Sequence, residues 1–160
     1  MTQTTHYQKL HGFLQQEIDT GEKLEQALVA EYEAIISNDL SALEQAIDAK
    51  QNCLERLEML NQGKTILVES LGYAIDRAGI ESCLNATDPS GSLPAMWQRL
   101  LDTATSCQQR NLLNHHLVDM ASRHTYQALC VLRGEPPATN VYGSSGNTDD
   151  AHNSRSLAWV

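Results

Sequence analysis

Apolar residues recur at helical spacing through the first quarter of the chain. Between residues 5 and 37 they are separated by three, four or six positions, at Leu10, Leu14, Ile18, Leu24, Leu28, Tyr32 and Ile35. Gly12 and Gly21 weaken this pattern by about 1 kcal/mol each relative to alanine, which is too little to end a helix. Asn38 and Asp39 then supply turn and N-cap chemistry. The pattern predicts a first helix over about residues 5–37.

The next segment has the most regular pattern. Steps of three and four continue without a slip through Leu40, Leu43, Ile47, Lys50, Leu54, Leu57, Asn61, Lys64, Val68, Leu71, Ile75 and Ala78. Because a loop around Gly63 would not preserve this phase, we predict one helix over residues 39–78, on the order of 60 Å long and bent at Gly63. Gly79 and Ile80 fit a Schellman ending for it.

A cluster of turn formers follows, and it predicts a connector over residues 80–93 with at most one short helical turn. Pro94 suits a first helical turn and Gly134 is the next breaker, so we predict a third helix over residues 94–133. Its seam runs through Trp97, Leu100, Ala104, Cys107, Asn111, Asn114, Val118, Ala121, Thr125, Ala128 and Leu132. The predicted fold of residues 1–133 is all-α, with three long antiparallel helices in a coiled-coil-like bundle.

Beyond Arg133 the composition changes to Gly, Pro, Ser, Asn and Asp. Such a segment cannot bury enough apolar surface to order itself alone, which predicts a flexible tail over residues 134–160. The tail nevertheless carries Val141, Tyr142, Leu157, Trp159 and Val160. Two interpretations stay open: the tail orders when a partner arrives, or it docks on its own bundle.

Polar residues occupy seam positions where a heptad core prefers apolar ones. They are Lys50 and Lys64 in the second helix, and Asn111 and Asn114 in the third. They either specify the register of the helices or, where the seam is poorly packed, extend their polar ends to solvent. Alternatively, they leave the bundle incompletely closed, so that it can admit a partner's apolar helix.

Charge limits the classes of partner. The 160 residues hold 20 acids and 11 bases, for a formal charge of -9, which disfavours binding to nucleic acid or anionic lipid. No stretch approaches the roughly 20 apolar residues of a membrane span, and residues 1–13 lack the apolar core of a signal peptide. We therefore expect a cytoplasmic protein without membrane insertion.

Catalytic and metal-binding patterns are missing from the sequence. The four cysteines lie far apart and are expected to be reduced, packed thiols. His115 and His116 point about 100° apart on a helix, so they cannot face one metal ion together. The chain has no paired Glu-x-x-His element, P-loop, Rossmann fingerprint or nucleophile elbow. We expect neither an enzyme nor a metal or other cofactor.

Several of these features together resemble the flagellar export chaperones of the FlgN family. The resemblance rests on the leucine-rich N-terminal helices, Lys50, and three elements in order: Gln109-Arg110-Asn111-Leu112-Leu113-Asn114, then Ala128-Leu129-x-x-Leu132-x-Gly134, then Tyr142-Gly143-x-x-Gly146. It covers nearly all of the first 147 residues. Residues 148–160 depart from the family pattern.

The resemblance implies a non-enzymatic chaperone that binds the C-terminal apolar helices of hook-filament junction proteins. The chaperone would prevent premature association and deliver these clients to the flagellar type III export apparatus. It implies client binding by the end of the third helix and the tail, at Asn111, Asn114, Leu129, Leu132 and Val141. Docking to the export gate or to ATPase components would use Tyr142, Gly143 and Gly146.

A rival interpretation is a structural coiled-coil or adaptor protein that self-associates through the same seams. The chaperone hypothesis predicts a monomer or a weak homo-oligomer instead. Light scattering separates the two.

Overall fold

The computed structural model describes residues 3–134, with side chains from residue 4 onward. It contains four helices in the order α1 (Gln3–Ser37), α2 (Leu40–Ser70), α3 (Arg77–Thr87) and α4 (Ser92–Arg133), and no strand within the described residues. The prediction of an all-α helical bundle is confirmed. The division into a bundle and a partner-binding tail stays a prediction, because residues 135–160 lie outside the described part.

A tight turn reverses the chain between α1 and α2, where the sequence indicates one. Asn38 takes a φ of 55°, and the backbone N–H of Asp39 donates to the carbonyl of Ala34 at 3.0 Å. The side chain of Asp39 then accepts from the N–H of Ala42 at 3.0 Å and caps α2. The two helices consequently pack antiparallel along most of their length.

The second helix ends at Ser70, eight residues before the predicted end. Gly72 has a φ of 84°, its N–H donates to the carbonyl of Glu69, and the N–H of Tyr73 donates to that of Val68. These two bonds are a Schellman motif, and the Tyr73 side chain packs back against the core cluster that contains Val68. The helix therefore ends at Gly72 rather than at Gly79, although the apolar spacing continues past it.

A short additional helix, α3, occupies most of the predicted connector. It has three turns, whereas the sequence predicted at most one. Asp76 caps it by accepting from the N–H of Gly79 at 2.7 Å. A Cβ at Gly79 would lie 2.1 Å from the carbonyl oxygen of Ala74, so this glycine allows a close approach at a helix start and does not terminate a helix. Burial of Ile80, Cys83 and Leu84 against the core stabilises this helix despite its length.

The turn formers are confined to the last part of that segment. One carboxylate oxygen of Asp88 accepts from the N–H of Leu93 at 2.8 Å, the other accepts from the N–H of Ser90 at 3.1 Å, and Gly91 has a φ of 87°. The Ser90 hydroxyl also donates to Asp88, and this bond, followed by the one from the N–H of Leu93, lowers the pKa of Asp88. This loop starts α4 at Ser92, two residues before the predicted start.

The fourth helix runs parallel to α1 and antiparallel to α2. The Cys107 thiol lies 3.7 Å from the carbonyl of Gly21, and the Asn114 amide lies 2.9 Å from the carbonyl of Leu28, so both chains advance in the same direction. α1 packs against both α2 and α4.

The apolar core forms two clusters along the bundle. The basal cluster surrounds the start of α1 and of α4 and contains Leu10, Leu14, Ile18, Val68, Ile80, Cys83, Leu84, Leu93 and Leu100. The smaller apical cluster contains Leu24, Leu28, Leu57 and Cys107. Apolar packing therefore decreases toward the apical end, where α1 turns into α2.

Within residues 3–134, none of the helices has the length and apolar character that crossing a membrane requires.

Candidate binding surface

A buried ion pair joins α1 and α2 beside the basal cluster. Lys64 is 2% exposed and Glu17 is fully buried, and the Lys64 ammonium lies 2.8 Å from both carboxylate oxygens. The same ammonium lies 4.8 Å from the centre of the Trp97 ring on α4. Burial raises the pKa of Glu17, and the charge and hydrogen bonds of Lys64 oppose the rise. This contact ties three helices together.

A second polar network holds the apical half of α4 on α1. The side-chain amide of Asn114 donates to the Leu28 carbonyl at 2.9 Å and to Glu31 at 2.7 Å, and the other Glu31 oxygen accepts from Lys50 at 2.6 Å. Asn111, one turn earlier on α4, is 8% exposed. Polar groups at these seam positions therefore bond to each other across the helices.

This pairing bears on the two interpretations of the polar seam. Every buried side-chain nitrogen or oxygen in the described part has a hydrogen-bond partner. Lys64, Lys50 and Asn114 are engaged within the chain, which favours register specification over an incompletely closed interior at these positions.

Exposed apolar side chains lie instead on the last part of α4, between Val118 and Arg133. Asn114 is level with Leu28, and from these two residues α4 continues for 19 residues but α1 for only nine. At 1.5 Å per residue, α4 extends about 15 Å beyond the end of α1. Residues 124–133 of α4 therefore have no length of α1 beside them.

The buried seam of α4 continues onto this extension. Val118, Leu129 and Leu132 follow Asn111 and Asn114 at helical spacing on the same face, and we call these three residues the apical seam. Their exposed fractions are 44%, 45% and 84%. From Val118 to Arg133, Cys130 is the one described residue that is buried. Within residues 3–134, the core-facing stripe of α4 thus continues past the end of α1.

The end of α1 adds two apolar side chains beside the apical seam. Glu25 faces α4, because its carboxylate accepts from Ser106 at 2.5 Å and from Arg110 at 3.1 Å. The hydrogen bond from Ser106, and to a smaller extent the contact with Arg110, lowers the pKa of Glu25. Tyr32 and Ile36 lie two and three turns further along this flank and are 36% and 61% exposed. They extend the apical seam sideways into a broader apolar surface.

The residues predicted to bind a client do not share one accessible surface. Leu129 and Leu132 are exposed on the apical seam, whereas Asn111 and Asn114 are buried toward α1. Direct contact between either asparagine and a client stays a prediction, and it would require α4 to move off α1. The other four predicted residues, Val141, Tyr142, Gly143 and Gly146, lie outside the described residues.

Three residues of this surface, Val118, Tyr32 and Ile36, are not among the site residues predicted from the sequence. Val118 occupies a regular seam position, and nothing in the local pattern separates it from the buried positions before it. In the parallel register Val118 is level with Tyr32 of α1, yet it is 44% exposed, which helical spacing alone does not reveal.

The metal-binding side chains and the cysteines of residues 3–134 show no further site. No group of three or more His, Cys, Asp or Glu residues there could hold a metal ion. All four cysteines are free thiols, and burial raises the pKa of Cys107 to about 11. A thiol with such a pKa is protonated and unreactive at neutral pH.

Comparison with known proteins identifies the family. The model of the FlgN family, described as FlgN protein, matches residues 1–150. A crystal structure from Pseudomonas aeruginosa, which carries the name of a flagella synthesis protein FlgN, is similar at a TM-score of 0.63 and 26% sequence identity. The similarity covers 71% of this chain and 88% of that one. No curated protein matches the chain. Because the family model spans nearly the whole sequence, the chain belongs to the FlgN family of flagellar chaperones.

Proposed function

We propose that the protein is an export chaperone that binds the C-terminal apolar helices of hook-filament junction proteins and delivers them to the flagellar type III apparatus. The observation that supports this most is the apical seam, an exposed apolar stripe on α4 that continues past the end of α1. A client that ends in an amphipathic helix must keep its apolar face covered until assembly. The apical seam offers such a helix the packing that α1 gives to the rest of α4.

The polar network one turn below has a supporting role in this proposal. Asn114 is fixed by α1, and Glu31 is fixed in turn by Lys50. These bonds set the register in which α4 lies on α1, and therefore how much of the apical seam extends beyond it. Asn114 acts here as a positioning residue.

The proposed docking can be tested with the double variant Leu129→Ser/Leu132→Ser. Both side chains are already exposed, so the change should leave helical content and unfolding midpoint nearly unaltered. Full burial of an exposed leucine contributes about 1.5–3 kcal/mol, and Leu129 and Leu132 are 45% and 84% exposed, so the loss of both should weaken client binding at least about tenfold. The measurement is calorimetric titration of the full-length chain with the C-terminal helical peptide of a junction protein.

The matched control is Ile66→Ser. Ile66 on α2 is 67% exposed and lies at the basal half of the molecule, away from the apical seam. It should bind the peptide like the wild type. Equal affinity of the double variant and the wild type would refute the apical seam as the docking site.

Two further parts of the proposal concern residues 135–160. Val141 would add to the client contact, and Tyr142, with Gly143 and Gly146 allowing a turn, would dock on the export gate or ATPase components in the cytoplasm. Tyr142→Ala should spare client binding and impair secretion. Loss of both activities, or of neither, would contradict separate roles.

Self-association through the same surface is the alternative outcome. A second copy could cover the apical seam and produce a stable dimer. Light scattering over a range of concentrations should show a monomer or weak dimer, and a concentration-independent higher oligomer would favour the structural coiled-coil function.

A further inference from the structure

The apolar residues of the apical seam are within reach of another apolar group in the same chain. Leu157, Trp159 and Val160 lie close together in the sequence. The large apolar residues that precede them are Val141 and Tyr142, and residues 143–156 contain none. This group lies beyond the family match, which ends at residue 150. It is therefore a feature of this chain that membership of the family does not explain.

We infer that the segment of residues 157–160 docks on the apical seam of its own chain and competes there with the client. This inference rests on the proposed function, because it concerns the regulation of the same surface. Trp159 and Leu157 would cover Leu129 and Leu132, and client binding would displace them.

The length of the intervening chain favours this location. Leu157 follows Gly134 by 23 residues, and a Gly- and Ser-rich chain of that length has a root-mean-square span of about 26 Å. The apical seam begins beside Gly134 and reaches back to Val118, about 24 Å along α4. The segment can therefore reach all of the apical seam without being stretched.

The large apolar groove at the basal end is less accessible to it. A groove of about 590 Å³ between α1 and α2 is lined by Gly12, Phe13, Gly63 and Ile66, among others. It lies near the start of α4, about 50 Å from Arg133 along the helix. That distance is twice the natural span of the linker, so the groove is a poor site for the segment.

Charge adds to the argument. The apical part of α4 carries the exposed side chains of Asp119, Arg123 and Arg133, for a net charge of about +1, and residues 148–160 carry Asp149, Asp150 and Arg155, for a net charge of about -1. This opposite sign favours docking slightly and in a salt-dependent way.

The test follows Trp159 in the full-length chain labelled with 5-fluorotryptophan. The chain has two tryptophans, Trp97 and Trp159, so the ¹⁹F spectrum has two resonances, and Trp159→Phe assigns the second. The shift of this resonance between H₂O and D₂O reports solvent contact. We expect a reduced shift in the wild type, a full shift in Leu129→Ser/Leu132→Ser, and no change in Ile66→Ser.

Several outcomes would overturn the inference. A full solvent shift in the wild type means that the segment is free. A reduced shift that responds to Ile66→Ser, but not to the apical seam variant, places it in the groove. A reduced shift that disappears on dilution means that a second copy is the occupant.

Client titration separates this inference from the proposed function. If the segment occupies the surface nine-tenths of the time, deletion of residues 151–160 should tighten binding of the junction-protein peptide about tenfold. An unchanged dissociation constant would refute the competition. If neither chain binds the peptide and the Trp159 shift still depends on Leu129 and Leu132, the docking stands and the proposed function fails.

Discussion

The buried ion pair of Lys64 and Glu17 makes a large and pH-dependent prediction. Lys64→Met keeps the length and most of the volume of the side chain but leaves the Glu17 carboxyl buried without its partner. Removal of one member of such a pair costs about 3–5 kcal/mol, because an uncompensated charge stays in the interior. At a urea dependence of about 2 kcal/mol per molar, the unfolding midpoint should fall by about 2 M.

The pH dependence follows from the raised pKa of Glu17. In the unfolded chain this carboxyl loses its proton near its ordinary value of 4.5, whereas burial raises the pKa in the folded state, and further once Lys64 is gone. Between these two values the folded state binds more protons than the unfolded state, so the contribution of Glu17 to stability falls as the pH rises. The deficit of Lys64→Met relative to the wild type should therefore be smaller at pH 5 than at pH 8.

The assay is urea unfolding followed by circular dichroism at 222 nm, at both pH values. The double variant Lys64→Met/Glu17→Leu should recover most of the lost stability, since no charge remains to be buried. Lys50→Met is the matched control: its partner is Glu31, the lysine is 20% exposed, and the expected loss is about 1 kcal/mol or less. A loss below 1 kcal/mol for Lys64→Met, together with an additive double variant, would refute the account of this pair.

Three smaller predictions concern particular contacts. Gly12→Ala should stabilise the protein by about 0.5–1 kcal/mol, because the new Cβ would enter open space within α1, whereas Gly72→Ala should destabilise it by about 1–2 kcal/mol, because φ is 84° there. The two variants should therefore shift the thermal unfolding midpoint in opposite directions, and shifts in the same direction would contradict the helix and cap assignments. Asn114→Ala should cost about 1–3 kcal/mol in urea unfolding, since it removes the buried donor to Leu28 and Glu31. Iodoacetamide at pH 8 should modify Cys53, which is half-buried, before Cys107, which is buried and has a pKa of about 11; mass spectrometry that shows the reverse order would contradict the packing around α4.

Periodicity was a sufficient guide to the long helices. In α1 and α4, apolar residues recur at helical spacing, and neither segment contains a residue that ends a helix. Both segments are accordingly single continuous helices. The turn at Asn38 and Asp39 could be read for a similar reason, since both residues have local chemistry that fits it.

Periodicity was misleading where α2 ends. The steps of three and four continue through Leu71, Ile75 and Ala78, yet the chain leaves the helix at Gly72. A glycine that can adopt a positive φ, followed by a tyrosine that packs back on the core, outweighs a continued heptad phase. Because the second helix was extended to residue 78, the start of α3 was assigned to it. The rest of α3, a helix of only 11 residues, was mistaken for a connector.

The candidate site could be located only in part. The sequence points to Leu129 and Leu132, but it does not distinguish them from the seam residues that α1 covers. What exposes them is a tertiary register, given by Asn114 against Leu28, and the difference in length between two helices that are far apart in the sequence. Helical spacing placed Asn111 and Asn114 on the seam of α4, but it could not show that α1, rather than a client, covers them.

Photo-crosslinking tests the central claim most directly, namely that the apical seam of α4 receives the apolar helix of a client. Benzoylphenylalanine would replace Leu132, which is 84% exposed, or Ile66, which is 67% exposed, in the full-length chain. With the C-terminal peptide of a junction protein present, irradiation should yield a covalent adduct from position 132 and none from position 66. Adduct formation from position 66 alone, or none from position 132 under conditions where the peptide is bound, would contradict the account.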